Sequence, residues 1–234
     1  MARQLTFDLA GKPALGRDDF LVTPANALAV AMLDQPSGWP QGRMLLIGPD
    51  GSGKTHLTTI WAEECNALRV SAVSLQPDMA VRLVTAGGAV AVEDVHQIGG
   101  MTGAEQGLFH LWNLCAAHEC RLLLTARTPP RDWGLVLPDV SSRMAALPVS
   151  RIEAPDEPLL AAVLVKLFSD RQISVPAGLI DWLAPRMDRD LGLARRLVAA
   201  LDAEAMANQR ALTRNLAADL LGQLSQSYSI PTKP

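Results

Sequence analysis

Aromatic residues are scarce in this chain: one Tyr, four Phe and five Trp among 234 residues. Basic residues are few and scattered, and the net charge is -3. Together these disfavour a surface that stacks bases or grips phosphates over a wide face, so little direct DNA binding is expected. Cysteine occurs only at Cys65, Cys115 and Cys120. An odd, sparse set is not a disulfide framework and implies a reducing, cytoplasmic setting. No apolar run reaches 18 residues and none follows Arg3, so neither a membrane span nor a signal peptide is expected. His110, Cys115, His118 and Cys120 fall close together, but their spacing fits no common zinc pattern. The tryptophans, Trp112 and Trp182 among them, read as core or interface residues.

What is abundant is apolar residues, 49% against 19% charged, enough for a packed globular core. An Ala-rich helix is expected over 26–33 and a Pro/Gly-rich loop over 35–42. Met44-Leu45-Leu46-Ile47 is continuously apolar, as a strand buried on both faces must be. A helix over about 54–66 follows, then strands over 70–75 and 89–92, a helix over 105–118, and strands over 122–125 and 147–152. Strand and helix in alternation predict an α/β fold with a parallel five-stranded sheet. Beyond Pro155 only helical patterns remain, over 158–172, 177–187, 191–208 and 214–224, the last with Thr213 as N-cap. The expected organisation is a leader (1–18), an α/β domain (19–154), a small all-α domain (155–224) and a frayed tail (225–234).

Between the first strand and its helix lies GPDGSGKT, residues 48–55. It fits G-x-x-x-x-G-K-[ST] in the strand–loop–helix context that a phosphate-binding loop requires. Gly48, Gly51 and Gly53 let the backbone turn and aim N–H groups inward, with Asp50 and Ser52 between them. The helix N-terminus adds partial positive charge. Lys54 is expected to reach the β- and γ-phosphates and Thr55 to hold Mg²⁺. Glu93-Asp94 ends the third strand, where Glu93 can orient Mg²⁺ and Asp94 can position an attacking water. Thr125, ending the fourth strand, could sense a γ-phosphate or simply close the strand.

These stretches, with several others, resemble the DnaA-related AAA+ family. DFLVTPAN (19–26) resembles the segment that lines the adenine site there, which implies roles for Val22 and Asn26. GPDGSGKTHL (48–57) matches the family's phosphate loop, including His56. EDVH (93–96) takes the place of its paired acidic motif, EQGLFHLWN (105–113) of the following helix, and LLTARTPP (123–130) of the sensor strand. PDVSSR (138–143) resembles the box carrying an arginine finger, which implies that role for Arg143. The helical C-terminal part resembles the AAA+ lid.

Within the family the short architecture, without a helix-turn-helix domain after the lid, resembles the Hda-like regulators that inactivate DnaA. In these a short N-terminal peptide binds the DNA polymerase sliding clamp. Gln4-Leu5-Thr6-Phe7-Asp8-Leu9 looks like that peptide, with Gln4 as hydrogen-bonding residue and Leu5, Phe7 and Leu9 as apolar anchors; an edge strand is its structural alternative. The resemblance implies ADP or ATP with Mg²⁺ as ligands, the clamp and DnaA as partners and a possible homodimer. It also implies weak intrinsic ATPase activity, with the chain acting chiefly by promoting hydrolysis of DnaA-bound ATP. Two departures stand out. The first acidic residue is Glu93 where the family usually has Asp. In RMDRDLG (186–192) the expected lid arginine falls at Gly192, leaving Arg189, Arg195 and Arg196 as substitutes. A helicase-loader-like ATPase and a P-loop small-molecule kinase are the rival readings.

Overall fold

The structure, a computed structural model, describes residues 16–208 and 211–228. The leader residues Gln4, Leu5, Phe7 and Leu9 lie outside them. Five strands, β1 (Arg43–Ile47), β2 (Leu68–Ser71), β3 (Ala89–Glu93), β4 (Arg121–Ala126) and β5 (Val149–Arg151), form one sheet in the order β2-β3-β4-β1-β5. Every pairing is parallel. Parallel neighbours need crossovers, and helices α2 (Lys54–Glu64), α3 (Met79–Thr85), α4 (Thr102–Ala117) and α5 (Pro138–Ala145) fall between the strands, while α1 (Ala27–Asp34) precedes β1.

The strands alternate between two apolar layers, as a period of two demands. Leu45, Ile47, Val90, Val92, Leu122 and Leu124 pack with Leu83 of α3 and with Leu108 and Leu111 of α4. Met44, Leu46, Ala91 and Leu123 face the other way, onto α1 and α2, where Trp39 stacks on Trp61 at 5.5 Å. A third cluster unites α6 (Glu157–Asp170), α7 (Leu179–Leu183), α8 (Leu191–Asn208) and α9 (Arg214–Tyr228) around Leu164, Phe168, Leu183, Leu197 and Leu201. The starts of α6, α8 and α9 are capped by side chains. Asp156 accepts from Leu159 N at 2.9 Å, Asp190 from Gly192 N and Leu193 N, and Thr213 from Leu216 N at 3.2 Å.

The strand expected over 70–75 is instead β2 at 68–71 followed by a 3₁₀ turn at 72–74. Two helices not expected from the sequence, α3 and α5, are only seven and eight residues long. The helix expected over 177–187 shortens to α7 because Pro185 closes it through a 3₁₀ turn.

Glu105 anchors the far side of the sheet. It is fully buried on α4, and its carboxylate accepts from the backbone N–H groups of Gly100, Val136 and Leu137 at 2.7–3.0 Å. Three donors replace the lost water shell. The contact fixes the segment that leads into α5.

Candidate functional site

The C-terminal ends of β1, β4 and β3 lie side by side, because β4 separates β1 from β3. The loops that leave them therefore meet, as they do in open parallel sheets generally. After β1 the chain turns through Gly48–Gly53 into α2. Gly51 has φ +65°, and a Cβ there would collide with the Asp190 carboxylate. Lys54 is buried, and its Nζ donates to the carbonyls of Gly48 and Pro49 at 2.7 Å each. Burial pushes its pKa down, while Asp50 and Asp94 oppose that shift. Ser52 Oγ is buried without a hydrogen-bond partner among the described residues. Asp50 pairs with Arg127, just beyond β4, at 2.6 Å.

After β3 the backbone turns through Asp94 in a left-handed conformation, φ 60° and ψ 41°. Such a turn is costly for a residue with a Cβ. The Asp94 N–H is held by Thr125 Oγ1 at 3.1 Å, so the buried threonine positions the acidic residue. His96 lies 3.9 Å from Asp94, and burial pushes its pKa down. Glu93 takes a different path from the one expected of a magnesium ligand. Its carboxylate is bound by Arg69 at 2.6 Å, across the β2–β3 register, and Arg69 also reaches Thr59. Of the acidic pair, only Asp94 opens onto the cavity of about 300 Å³ that Lys54 and the exposed Thr55 also line.

The other walls of this cavity come from α8. Leu191 N donates to Gly51 O at 2.9 Å, which docks the first turn of α8 on the phosphate loop. Asp190, Gly192, Arg195 and Arg196 line the same space. Spacing alone places Arg196 one turn away from the expected arginine position at Gly192. The structure brings them together. Helical side chains lean toward the N-terminus, and Arg196 reaches back to within 3.3 Å of where a Gly192 Cβ would stand. Its guanidinium also lies 3.6 Å from Asp190.

A second, smaller cavity of about 40 Å³ lies next to this one, lined by Phe20, Leu21, Asn26, His56, Leu191 and Arg195 among others. Asn26 is buried and ties the 20–26 segment to itself, accepting from Thr23 N and donating to Leu21 O. Phe20 meets the His56 ring edge-on at 5.1 Å. Arginine only donates, so His56 Nδ1 must accept from Arg195 Nη2 at 2.9 Å. The ring proton then sits on Nε2, facing Gly16 O at 3.3 Å. Lys166 of α6 pairs with Asp19 at 2.7 Å, closing the outer edge. Val22 is more than half exposed and lines neither cavity. Among the described residues no cluster of three or more His, Cys, Asp or Glu could hold a metal by itself.

Arg143 stands apart from all of these. It lies on α5, its guanidinium 4.5 Å from the Phe109 ring and hydrogen-bonded to Asn113 Oδ1. It shares a cavity of about 480 Å³ with Arg43, the first residue of β1. The phosphate loop leaves the other end of that strand. Five strand residues put the two rims roughly 15 Å apart.

Sequence reasoning did not single out Asp190 or Arg43 and did not assign a role to Arg127. An Asp three residues before an apolar helical position is a readable N-cap signal. Nothing local marks the other two.

No family model matches the sequence. The DnaA of Clavibacter sepedonicus is 22% identical over 208 residues, 76% of this chain and 42% of that protein. The chain spans less than half the length of the curated relatives it matches. Domain III of the Thermotoga maritima DnaA superposes with a TM-score of 0.77 at 18% identity, covering 91% of this chain and 98% of that one. The AMPPCP-bound DnaA from Aquifex aeolicus gives 0.65 at 18% identity, covering 85% and 69%. The chain thus has the AAA+ fold, as domain III of DnaA has, and is similar in sequence to DnaA over about three quarters of its length.

Proposed function

We propose that the chain binds an adenine nucleotide, ADP or ATP, between the phosphate loop and α8, and presents Arg143 to the nucleotide of a DnaA-type ATPase. In this reading it is an Hda-like regulator that promotes hydrolysis of DnaA-bound ATP and limits re-initiation. The partly buried Phe20, the buried Asn26 and His56 form the base side. Gly48, Gly51, Ser52, Gly53 and Lys54 cradle the phosphates; the orphaned Ser52 hydroxyl and the close-packed glycine loop fit such a group. Thr55 would carry Mg²⁺ with Asp94 as the facing carboxylate, while Glu93 stays with Arg69. The ion supplies charge neutralisation at the phosphates. Arg196, leaning over Gly192, stands in for the lid arginine.

The observation that carries the reading is the position of Arg143. It lies beside the start of β1, whose other end, about 15 Å away along the strand, leads into the phosphate loop; it is held in one orientation by Phe109 and Asn113 and has no carboxylate partner among the described residues. A guanidinium so placed is suited to a phosphate held by another subunit. The leader, through Gln4, Leu5, Phe7 and Leu9, would dock on the sliding clamp and raise the local concentration of the ATPase body near DNA, in the cytoplasm.

The test is ATP hydrolysis by DnaA in the presence of DNA-loaded clamp. The wild-type chain should accelerate it and R143A should not. R143K, which keeps the charge but loses the planar fork, should rescue little. Equal stimulation by wild type and R143A would refute the mechanism. A clamp pull-down with and without residues 1–10 tests the leader, and equal recovery would remove it from the scheme.

A further inference from the structure

The cavity beside Arg143 holds a second guanidinium that the function above does not use. Arg43 is 3% exposed. Buried arginines normally face a carboxylate. Arg43 does not: its Nη1 donates to Gln41 Oε1 at 3.2 Å and its Nη2 to Trp112 O at 3.1 Å, both neutral, and its Nε–H is buried with no partner. The guanidinium carbon lies 3.8 Å from the Trp112 ring centroid. Neither Arg43 nor Arg143 forms an ion pair among the described residues, and no acidic side chain lines their shared cavity. Burial pushes the Arg43 pKa down, and the nearby charge of Arg143 adds to the shift. Two cations in one cavity repel each other, and one of them has a desolvated donor left over.

We infer that the Arg43–Arg143 cavity is a binding site for a phosphate-type oxyanion, with Arg43 as its inner and Arg143 as its outer ligand. An oxyanion in the cavity accepts from the guanidinium N–H groups that Arg43 and Arg143 turn toward it and neutralises both charges at once. A cavity of about 480 Å³ also has room for more than one phosphate. The stacking of Arg43 on Trp112 and of Arg143 on Phe109 fixes both forks before the ligand arrives, which lowers the ordering cost of binding. The inference shares Arg143 with the proposed function and deepens it by giving the finger an inner partner. It does not depend on the oxyanion being free or held by another ATPase.

The experiment titrates sodium pyrophosphate into the full chain carrying K54A, which weakens the phosphate-loop response, and follows heat and the Arg Nε–H resonances by NMR. Saturable binding with movement of the Arg43 Nε–H signal is expected. It should weaken by at least about tenfold on adding R143A, whose side chain is partly exposed, and by a similar factor with R43Q. Absence of saturable binding, or binding unchanged by R143A, would overturn the site. So would saturation by a glutamate-rich peptide but not by pyrophosphate, which would assign the cavity to protein carboxylates. If pyrophosphate binds as described while DnaA hydrolysis is not stimulated, the functional reading falls and the site stands.

Discussion

Two ends of one sheet treat positive charge in opposite ways. At the C-terminal rim, beside the phosphate loop and lid, four cations face carboxylates, Arg127 with Asp50, Arg196 with Asp190, Lys166 with Asp19 and Arg69 with Glu93, while Lys54 and Arg195 have neutral partners. At the opposite rim Arg43 and Arg143 have neutral hydrogen-bond partners and aromatic faces. Matched charges organise a surface that works by itself. Unmatched ones, when fixed in place, are suited to charge supplied from outside. The chain thus has one rim where most charges are paired within the molecule and another where two arginines are not.

The contrast can be broken most severely at Glu105, which fixes the segment leading into α5, the helix that carries Arg143. E105L leaves three buried N–H groups unpaired and should cost about 3 kcal/mol or more in chemical denaturation. E105Q, with one acceptor left, should cost less. A stability loss small enough to be lost in the noise would show that α5, and Arg143 with it, is held by other means. At the matched rim, G51A sets a methyl against Asp190 in a left-handed turn. It should cost about 2 kcal/mol and also weaken nucleotide binding, read by thermal melts with and without ADP.

Protonation sharpens the same comparison. The folded-state pKa of His96 is depressed by burial. The unfolded chain therefore takes up that proton first as pH falls below about 6.5. Stability should be full above that value and fall as pH drops toward the folded pKa. H96Q should flatten this part of the melting-temperature profile; an unchanged slope would assign it to another group. The smallest effect is expected from N113D, which supplies Arg143 with a carboxylate. It should stabilise the fold by about 0.5 kcal/mol while reducing stimulation of DnaA. Unaltered stimulation would mean that the bare charge of Arg143 is unimportant.

Much of this was legible in the sequence because its signals are local. Residues 44–47 and 89–92 read as buried strands from their apolar runs, and the glycines, Lys54 and Thr55 announce the loop between strand and helix. The balance of charges was not legible. Arg43 looks like an ordinary polar residue before an apolar run, and only the β1–β4–β5 register brings it beside α5, a hundred residues later. Glu93 reads as a magnesium ligand until the parallel pairing with β2 places Arg69 next to it. Gly192 reads as a missing arginine because linear spacing ignores how far a long side chain can lean back along a helix. Each of these depends on partners distant in sequence or on side-chain direction, which no residue pattern encodes.

The cap at the start of α8 has a mechanical consequence. Asp190 Oδ1 bonds to Gly192 N and Leu193 N, both in its own helix, while its body presses on Gly51. The helix would therefore keep its cap if the lid swung away. Among the described residues, polar links across this seam include Leu191 N to Gly51 O, Arg195 to His56, and Lys166 to Asp19. A joint whose two halves are each internally complete separates as rigid bodies and re-forms in register, without either half having to refold.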